Sequence, residues 1–192
     1  MENDRKTQII KAAVKRFSKH GPGKTTLDEI ARDLRIGKAT IYHYFISKEA
    51  LFYSAIEWES DQFIEEIKSV FENKELTLHD RLNLYFQSKE TIDQNYKLLY
   101  EVLLLVMKDD TSEKEKEILK SMLKQEETII ETVLHQVYGK KDTMTLSALP
   151  AIFTAVSWGW LFGVKLNQIA NCDEKIPSKD FLNILMENVL PD

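Results

Sequence analysis

Residues 25–48 read TTLDEIARDLRIGKATIYHYFISK, and this stretch predicts two short helices joined by a tight turn. Thr26 stands three residues before Glu29, which is the spacing of a capping box at a helix N-terminus. The apolar residues that follow repeat at helical spacing and would face a core: Leu27, Ile30, Ala31 and Leu34. Gly37 is expected to form the turn, and a helix from Lys38 to Phe45 follows that is too short to fold alone.

The second of these helices carries polar side chains that no core position accounts for. Ile41 and Phe45 lie four residues apart and can hold the helix against its neighbours. The remaining positions bear side chains that donate hydrogen bonds: Lys38, Thr40, Tyr42 and His43. Such side chains can bind phosphates and contact base edges, so the helix matches what reading of the DNA major groove requires.

Charge is divided unevenly along the 192 residues, whose total is −5. Residues 1–48 hold 11 Lys and Arg against 5 Asp and Glu, a net charge of +6. Residues 49–192 hold 15 against 26, a net charge of −11. Because the basic segment coincides with the helix-turn-helix pattern, contact with an anionic polymer is favoured over a merely solvated surface.

Composition indicates a cytoplasmic protein. Cys172 is the single cysteine, so an intrachain disulfide is excluded and a reducing compartment fits best. We expect no membrane association, because no run approaches the roughly 18–20 uninterrupted apolar residues of a membrane span. The charged N-terminus, MENDRKTQ, also lacks the apolar segment of a signal peptide.

Hydrophobic periodicity predicts an all-α protein of about nine helices. Only six glycines and four prolines interrupt the chain, and no alternating strand pattern persists. We expect an N-terminal three-helix helix-turn-helix domain over residues 1–48 and a C-terminal helical bundle over residues 49–192. The expected helices cover about 4–20, 26–34, 38–45, 47–72, 77–93, 95–110, 112–138, 145–170 and 178–190. Whether residues 78–109 form one helix or two stays open, because neither glycine nor proline separates the halves.

The segment from about Lys6 to Phe52 closely resembles the DNA-binding domain of the TetR family of transcriptional regulators. That pattern joins a helix ending in F-x-x-x-G to T-T-x-x-x-I-A-x-x-L, K-x-T-x-Y-x-Y-F and S-K-E-x-L. The matching residues are Phe17, Gly21, Thr25, Thr26, Ile30, Ala31, Leu34, Lys38, Thr40, Tyr42, Tyr44, Phe45, Ser47, Lys48, Glu49 and Leu51. Gly37 and Ala39 stand where the family often has Ser and Gly, so the operator sequence cannot be predicted.

The resemblance implies a homodimeric regulator that binds a double-stranded, pseudo-palindromic DNA operator. It assigns DNA contacts to Thr26, Lys38, Ala39, Thr40, Tyr42, His43 and Lys48. Thr26 would bind a phosphate at a helix N-terminus, and Lys48 would bind the DNA backbone at the start of the fourth helix. Tyr44 alternates with Tyr42 and is expected to pack inward.

Residues 49–192, which we call the acidic body, are rich in large apolar side chains, and such side chains usually form a core. Because members of the family bind small molecules inside this bundle, we expect an internal cavity for a lipophilic or aromatic effector, with no strong cluster of buried charges near it. Its predicted lining is Tyr100, Met107, Phe153 and Trp158. The effector would release a repressor from its operator. The alternative is a constitutive DNA-binding protein without an effector.

Two helices near the C-terminus are expected to form the dimer interface. Gly159 and Gly163 lie four apart and make a smooth strip where another backbone can approach closely. The last helix adds a strong apolar side, and two such helices from each chain can form a four-helix interface. The predicted interface residues are Gly159, Gly163, Phe181, Leu185 and Val189.

The sequence offers little support for catalysis or metal binding. Glu127, Glu131 and His135 share one helix face and could hold an ion, but a solvated stripe is the better interpretation. None of the metal, nucleophile or phosphate-loop motifs HExxH, GxSxG and CxxC occurs. We therefore expect no enzyme activity, no catalytic residues, no metal site and no cofactor.

Overall fold

The computed structural model describes residues 2–139, 144–169 and 178–189, and all regular secondary structure in this part of the chain is helical. The all-α prediction is confirmed. The described residues form ten helices, one more than expected: α1 (Glu2–Lys24), α2 (Leu27–Asp33), α3 (Lys38–Tyr44), α4 (Lys48–Glu72), α5 (Leu78–Glu90), α6 (Ile92–Asn95), α7 (Lys97–Met107), α8 (Glu113–Tyr138), α9 (Met144–Ile169) and α10 (Ser178–Val189).

The helices gather into two compact units. The first unit comprises Met1–Phe63 and Asp93–Met122, and the second comprises Ile64–Ile92 and Leu123–Asp192. The long helices α4 and α8 each contribute residues to both units. The helix-turn-helix segment thus lies in one unit with the first part of α4 and with α7, and the expected domain boundary at residue 48 stays a prediction.

Local sequence signals determine the helix boundaries of the first unit. Gly21 has a φ of 75° and a ψ of 162°, and this left-handed backbone, which favours glycine, interrupts α1. The predicted capping box is present in α2, because the Thr26 N–H donates to Glu29 Oε2 at 2.9 Å and the Glu29 N–H donates to Thr26 Oγ1 at 3.3 Å. Phe17 packs edge-on against Phe52 at 5.2 Å between ring centroids and joins α1 to α4.

Residues 78–109 form three helical pieces rather than one or two. Tyr96 has a φ of −133° and a ψ of 57°, and this non-helical residue separates α6 from α7. The buried Glu59 of α4 accepts the Leu99 N–H at 2.8 Å and so satisfies a free amide at the start of α7. The Tyr96 ring packs on Phe63 at 5.5 Å. These contacts come from α4, which explains why no local sequence signal marks the break.

Glu59 gives the first unit a predictable pH dependence. The pKa of Glu59 is raised from an ordinary 4.5 to about 7, and burial is the main cause. The Leu99 and Leu98 N–H groups act in the opposite direction, and the Glu101 carboxyl contributes to the increase. The stabilising contribution of a raised carboxyl pKa is complete below pH 4.5 and is lost as the pH rises through about 7.

We therefore expect Glu59→Gln, which keeps an acceptor for the α7 amides, to gain stability relative to the wild type as the pH rises from about 5 to 8. Urea unfolding of both proteins across this range measures the difference in unfolding free energy. A difference that stays constant with pH would contradict the expectation.

The second unit is built around α5, α9 and α10. Phe86 and Phe181 join α5 to α10 at 5.8 Å between ring centroids, and Trp160 of α9 stacks on Phe181 at 4.5 Å. His79 Nε2 and Asn183 Oδ1 are 2.6 Å apart and add a polar contact between α5 and α10. These aromatic contacts form a continuous core on one side of α5.

The expectation of no buried charge cluster in the acidic body was wrong. Lys89 and Glu126 are both fully buried in the second unit, and their charged atoms are 2.5 Å apart. Both residues stand in charged stretches, SKE and KQEE, that look like solvated helix faces. Sequence periodicity could not separate them from their exposed neighbours.

One stretch of α9, Ser147–Leu166, has the length and hydropathy of a membrane span among the described residues, with a mean hydropathy of 1.4. Core helices of globular proteins share this composition. The Trp158 indole N–H donates to Glu126 at 3.2 Å and that of Trp160 donates to Glu90 at 2.8 Å. These hydrogen bonds attach one side of α9 to α8 and α5, and 33% of the stretch is buried within the protein.

Candidate nucleic-acid interface

Helix α3 exposes the polar side chains that the sequence assigned to DNA. Ile41 is its one buried residue, and the adjoining Phe45 is buried as well, so these two seat the helix as expected. Tyr42 is 50% exposed. Lys38, Ala39 and His43 are exposed, whereas Thr40 is half-buried. Tyr44 is also half-buried, and its ring meets that of His43 edge-on at 5.0 Å.

The turn between α2 and α3 differs in detail from the prediction. Its left-handed residue is Arg35, with a φ of 54°, and Gly37 instead caps α3 in an extended conformation. The Ile36 N–H closes the turn on the Ala31 carbonyl at 3.0 Å. A non-glycine residue thus occupies the position where glycine would be expected.

Two predicted phosphate-binding lysines are held by partners within the chain. Lys38 Nζ lies 2.7 Å from Asp28 Oδ2, and this hydrogen bond raises the pKa of Lys38. Lys48 Nζ donates to the carbonyls of Pro22 at 2.8 Å and Thr25 at 3.3 Å, which ties the start of α4 to the turn between α1 and α2. We call residues 1–48 the head. Lys48 therefore helps to position the head on α4, in addition to any contact with DNA.

An ion pair fixes α1 against α2 behind this surface. The Arg16 guanidinium donates two hydrogen bonds to Asp33, each of 2.6 Å, and it lies 3.8 Å from Glu29. Hydrogen bonding to Asp33 raises the pKa of Arg16 and lowers that of Asp33. The bidentate pairing of Arg16 with Asp33 favours a single orientation of α1 relative to α2, and a DNA-binding domain needs such a fixed orientation.

The four residues expected to line an effector cavity are divided between the units. In the first unit, Tyr100 is half-buried and Met107 is 64% exposed at the end of α7. In the second unit, Phe153 and Trp158 are buried on α9. Lys89 and Glu126, next to Trp158, were missed. The assignment of the lining stays a prediction.

The expected dimer residues include an exposed part of α9. Gly159 and Gly163 are exposed, Phe181 and Leu185 are half-buried, and the side chain of Val189 lies outside the described residues. Between residues 147 and 166 of α9, where side chains are described, one exposed face carries apolar or small residues at helical spacing: Ile152, Ala155, Gly159, Gly163 and Leu166.

Glu127, Glu131 and His135 lie on α8, and a solvated helix face was the preferred interpretation of their spacing. No group of three or more His, Cys, Asp or Glu side chains there could hold a metal ion. Glu131 and His135 are exposed and Glu127 is half-buried, as residues of a solvated helix face are.

A capped helix, a sharp turn and an exposed polar helix on a basic head define a helix-turn-helix DNA-binding domain. Residues 9–55 match the sequence model of the bacterial regulatory proteins of the tetR family. The head of the chain therefore carries the DNA-binding domain typical of TetR-family transcriptional regulators.

Relatives with curated descriptions match part of this chain. The uncharacterized HTH-type transcriptional regulator YerO of Bacillus subtilis is 38% identical over 71 residues, 37% of this chain and 25% of that protein. The biofilm operon icaADBC HTH-type negative transcriptional regulator IcaR of Staphylococcus aureus is 31% identical over 98 residues, 51% of this chain and 45% of that protein. The first relatives are thus matched over about a quarter of their own length.

Solved structures match the whole fold. The regulator FadR from Bacillus subtilis, in complex with stearoyl-CoA, has a TM-score of 0.64 and 21% identity, with 95% of this chain and 96% of that chain covered. The reduced form of NemR from E. coli has a TM-score of 0.71 and 16% identity, with 97% of each chain covered. At such identities the likeness concerns the fold alone.

Proposed function

We propose that this chain is a cytoplasmic, homodimeric transcriptional repressor that leaves a pseudo-palindromic DNA operator when it binds a small lipophilic or aromatic molecule. The observation that carries DNA binding is α3, a short helix whose outward side chains are exposed on a head of net charge +6. The similarity to a negative regulator supports repression, and the similarity in fold to a regulator bound to stearoyl-CoA supports an effector.

The proposed DNA contacts divide into two kinds. Thr26, Lys38 and Lys48 would position the head on phosphates. Ala39, Thr40, Tyr42 and His43 would face base edges, where the Ala39 methyl can contact a thymine methyl. Tyr42 is the best single test, because its ring is exposed and serves no core.

Tyr42→Ala should weaken operator binding at least tenfold and leave the unfolding free energy unchanged within about 0.5 kcal/mol. Gel shifts with a selected operator, together with urea unfolding, check both halves of this expectation. Tyr53→Ala, a change of the same size on α4, serves as the matched control for loss of a ring. Unchanged affinity in Tyr42→Ala would contradict the assignment of α3 to the groove.

The Lys38–Asp28 ion pair makes a second expectation about DNA. On binding, a phosphate would replace Asp28 beside Lys38. Lys38→Ala should therefore weaken binding and flatten the slope of log affinity against log salt by about one unit. Asp28→Asn should strengthen binding several-fold, because it removes a negative charge and releases Lys38 from its partner. Gel shifts at four salt concentrations measure both, and weaker binding by Asp28→Asn would contradict the exchange of partners.

The exposed face of α9 supports dimerisation. Ile152 and Leu166 are exposed to water in the protomer. Their burial against a second copy would lower the free energy and so stabilise a dimer. A Cβ added at Gly159 or Gly163 would meet nothing within 4 Å, so the protomer itself leaves this strip open to a close partner. Two heads held by such an interface would fit the two halves of a pseudo-palindrome.

The effector response would depend on α4, a continuous helix with residues in both units. A ligand shifts the balance between DNA-competent and DNA-incompetent states only by its difference in affinity for the two. Hundredfold release needs about 2.7 kcal/mol of such a difference. A thermal-shift screen of small molecules, followed by gel shifts, tests this. If no stabilising compound released DNA, constitutive DNA binding without an effector would be the better function.

A further inference from the structure

A fully buried ammonium and carboxylate lie between two aromatic rings in the second unit. Lys89 Nζ of α5 lies 2.5 Å from Glu126 Oε1 of α8, and neither side chain is exposed to solvent. The same ammonium lies 3.8 Å from the centroid of the Trp158 ring and 5.0 Å from that of Tyr85. We call these four residues the ammonium cage.

Hydrogen bonds orient the carboxylate of the cage. The Tyr85 hydroxyl donates to Glu126 Oε1, and the Trp158 indole N–H donates to Oε2 at 3.2 Å. Tyr85 also shares a hydrogen bond of 2.7 Å with Ser157. The carboxylate therefore keeps two neutral donors, from Tyr85 and Trp158, even when the Lys89 ammonium moves away.

Stability alone does not account for the cage. A buried ion pair is often no more stabilising than apolar residues of the same volume, because both ions lose their hydration. The desolvation is evident in Lys89, whose pKa burial lowers to about 8 although Glu126 acts in the opposite direction. Burial also raises the pKa of Tyr85 well above its ordinary range.

The chemistry of the cage selects positive charge. Aromatic faces carry negative electrostatic potential and attract ammonium groups, and the carboxylate adds a full negative charge. Once the Lys89 ammonium is displaced, an anion would be repelled by both the carboxylate and the aromatic faces. The net charge of −11 on residues 49–192 would also draw cations towards this body. Lys89 carries its ammonium on a flexible four-carbon stem, and a ligand that takes this place would have to move the stem out of a fully buried position.

We propose that the ammonium cage is a binding site for organic ammonium ions, which take the place that the Lys89 ammonium holds in the unliganded protein. This deepens the proposed effector response and rests on it, because it gives the effector a positive charge. The lipophilic or aromatic part of such a cation would lie against the rings of the core.

Removal of the tethered ammonium gives the sharpest test. Lys89→Ala removes a propylammonium group, so n-propylammonium fits the space that is left. We expect calorimetry to find that this ion binds Lys89→Ala at least tenfold more tightly than it binds the wild type. Neither 1-propanol nor propionate should bind comparably. The charge-balanced variant Lys89→Ala/Glu126→Gln is the matched control and should not bind the ion.

Whether cation binding releases DNA is tested on the wild-type protein with benzyltrimethylammonium. Neopentylbenzene, the neutral isostere of this cation, is the control. The cation should raise the melting temperature and release operator DNA, whereas the isostere and 4-phenylbutyrate should do neither. Equal binding of 1-propanol or propionate by Lys89→Ala, equal effects of the neutral or anionic aromatic compounds, or cation binding without DNA release would overturn the proposal. Wild-type protein that bound no DNA without any compound would contradict the proposed function itself, whatever calorimetry found for the cage.

Discussion

Leu166→Glu should convert the protein from dimer to monomer and reduce its affinity for a full operator by at least a hundredfold. Leu166 is 65% exposed in the protomer, so a carboxylate there leaves the protomer core intact. In a dimer the same carboxylate would be buried against an apolar partner helix at a cost of several kcal/mol. The loss of affinity follows because two linked heads bind about 10²–10⁴-fold more tightly than one.

A matched control separates dimerisation from the effect of added charge. Val137→Glu introduces the same carboxylate at an apolar position that is 46% exposed, on α8, and that belongs to none of the proposed sites. It should leave the molecular mass and operator affinity unchanged. Light scattering at micromolar concentration and gel shifts measure the two quantities. A monomeric wild type, or a dimer that survives Leu166→Glu, would contradict the assignment of the interface to α9.

Gly159→Leu supplies a second variant that carries no charge. A Cβ added at Gly159 meets nothing within 4 Å, and leucine favours the helix over glycine by about 0.8 kcal/mol. The protomer should therefore keep or gain stability while the close approach of a partner helix is blocked. The same loss of dimer from two changes of different chemistry would identify the surface itself as the cause.

The head of the molecule could be predicted from sequence because its determinants are local. The capping box of Thr26 and Glu29 spans four residues, and Ile41 with Phe45 seats α3 within one helical turn. Each of these features acts through neighbours in the chain. The capping box at Ser112, whose N–H donates to Glu115 Oε2 at 2.6 Å, has the same local origin.

The parts that escaped prediction depend on partners distant in sequence. The break between α6 and α7 is stabilised by Glu59, 40 residues before the amide that it accepts. The hydrogen bonds of Lys48 to the carbonyls of Pro22 and Thr25, more than 20 residues earlier, were not predicted, whereas its contact with a phosphate stays a prediction. The burial of Lys89 depends on Glu126, 37 residues later. Charged residues carry no periodic signal that tells a buried partner from a solvated one.

Lys89→Met should be the most destabilising of the substitutions proposed for this protein, with an expected loss of about 3–5 kcal/mol of unfolding free energy. Methionine keeps the volume and removes the ammonium, which leaves the Glu126 carboxylate buried without its opposite charge. Urea unfolding at pH 7 measures the loss. A loss below about 1 kcal/mol would mean that water or a rearranged partner compensates the carboxylate, in conflict with its full burial.

The double variant Lys89→Met/Glu126→Gln decides whether the charges act as a pair. The amide oxygen that replaces the Glu126 carboxylate would still accept from Tyr85 or Trp158, and no net charge would stay buried. The double variant should therefore recover most of the stability that Lys89→Met loses, with a coupling free energy of about 2–3 kcal/mol. Additive losses would show that each charge is stabilised separately. Recovery would mean that the fold can do without the ion pair, which is what a place open to a ligand requires.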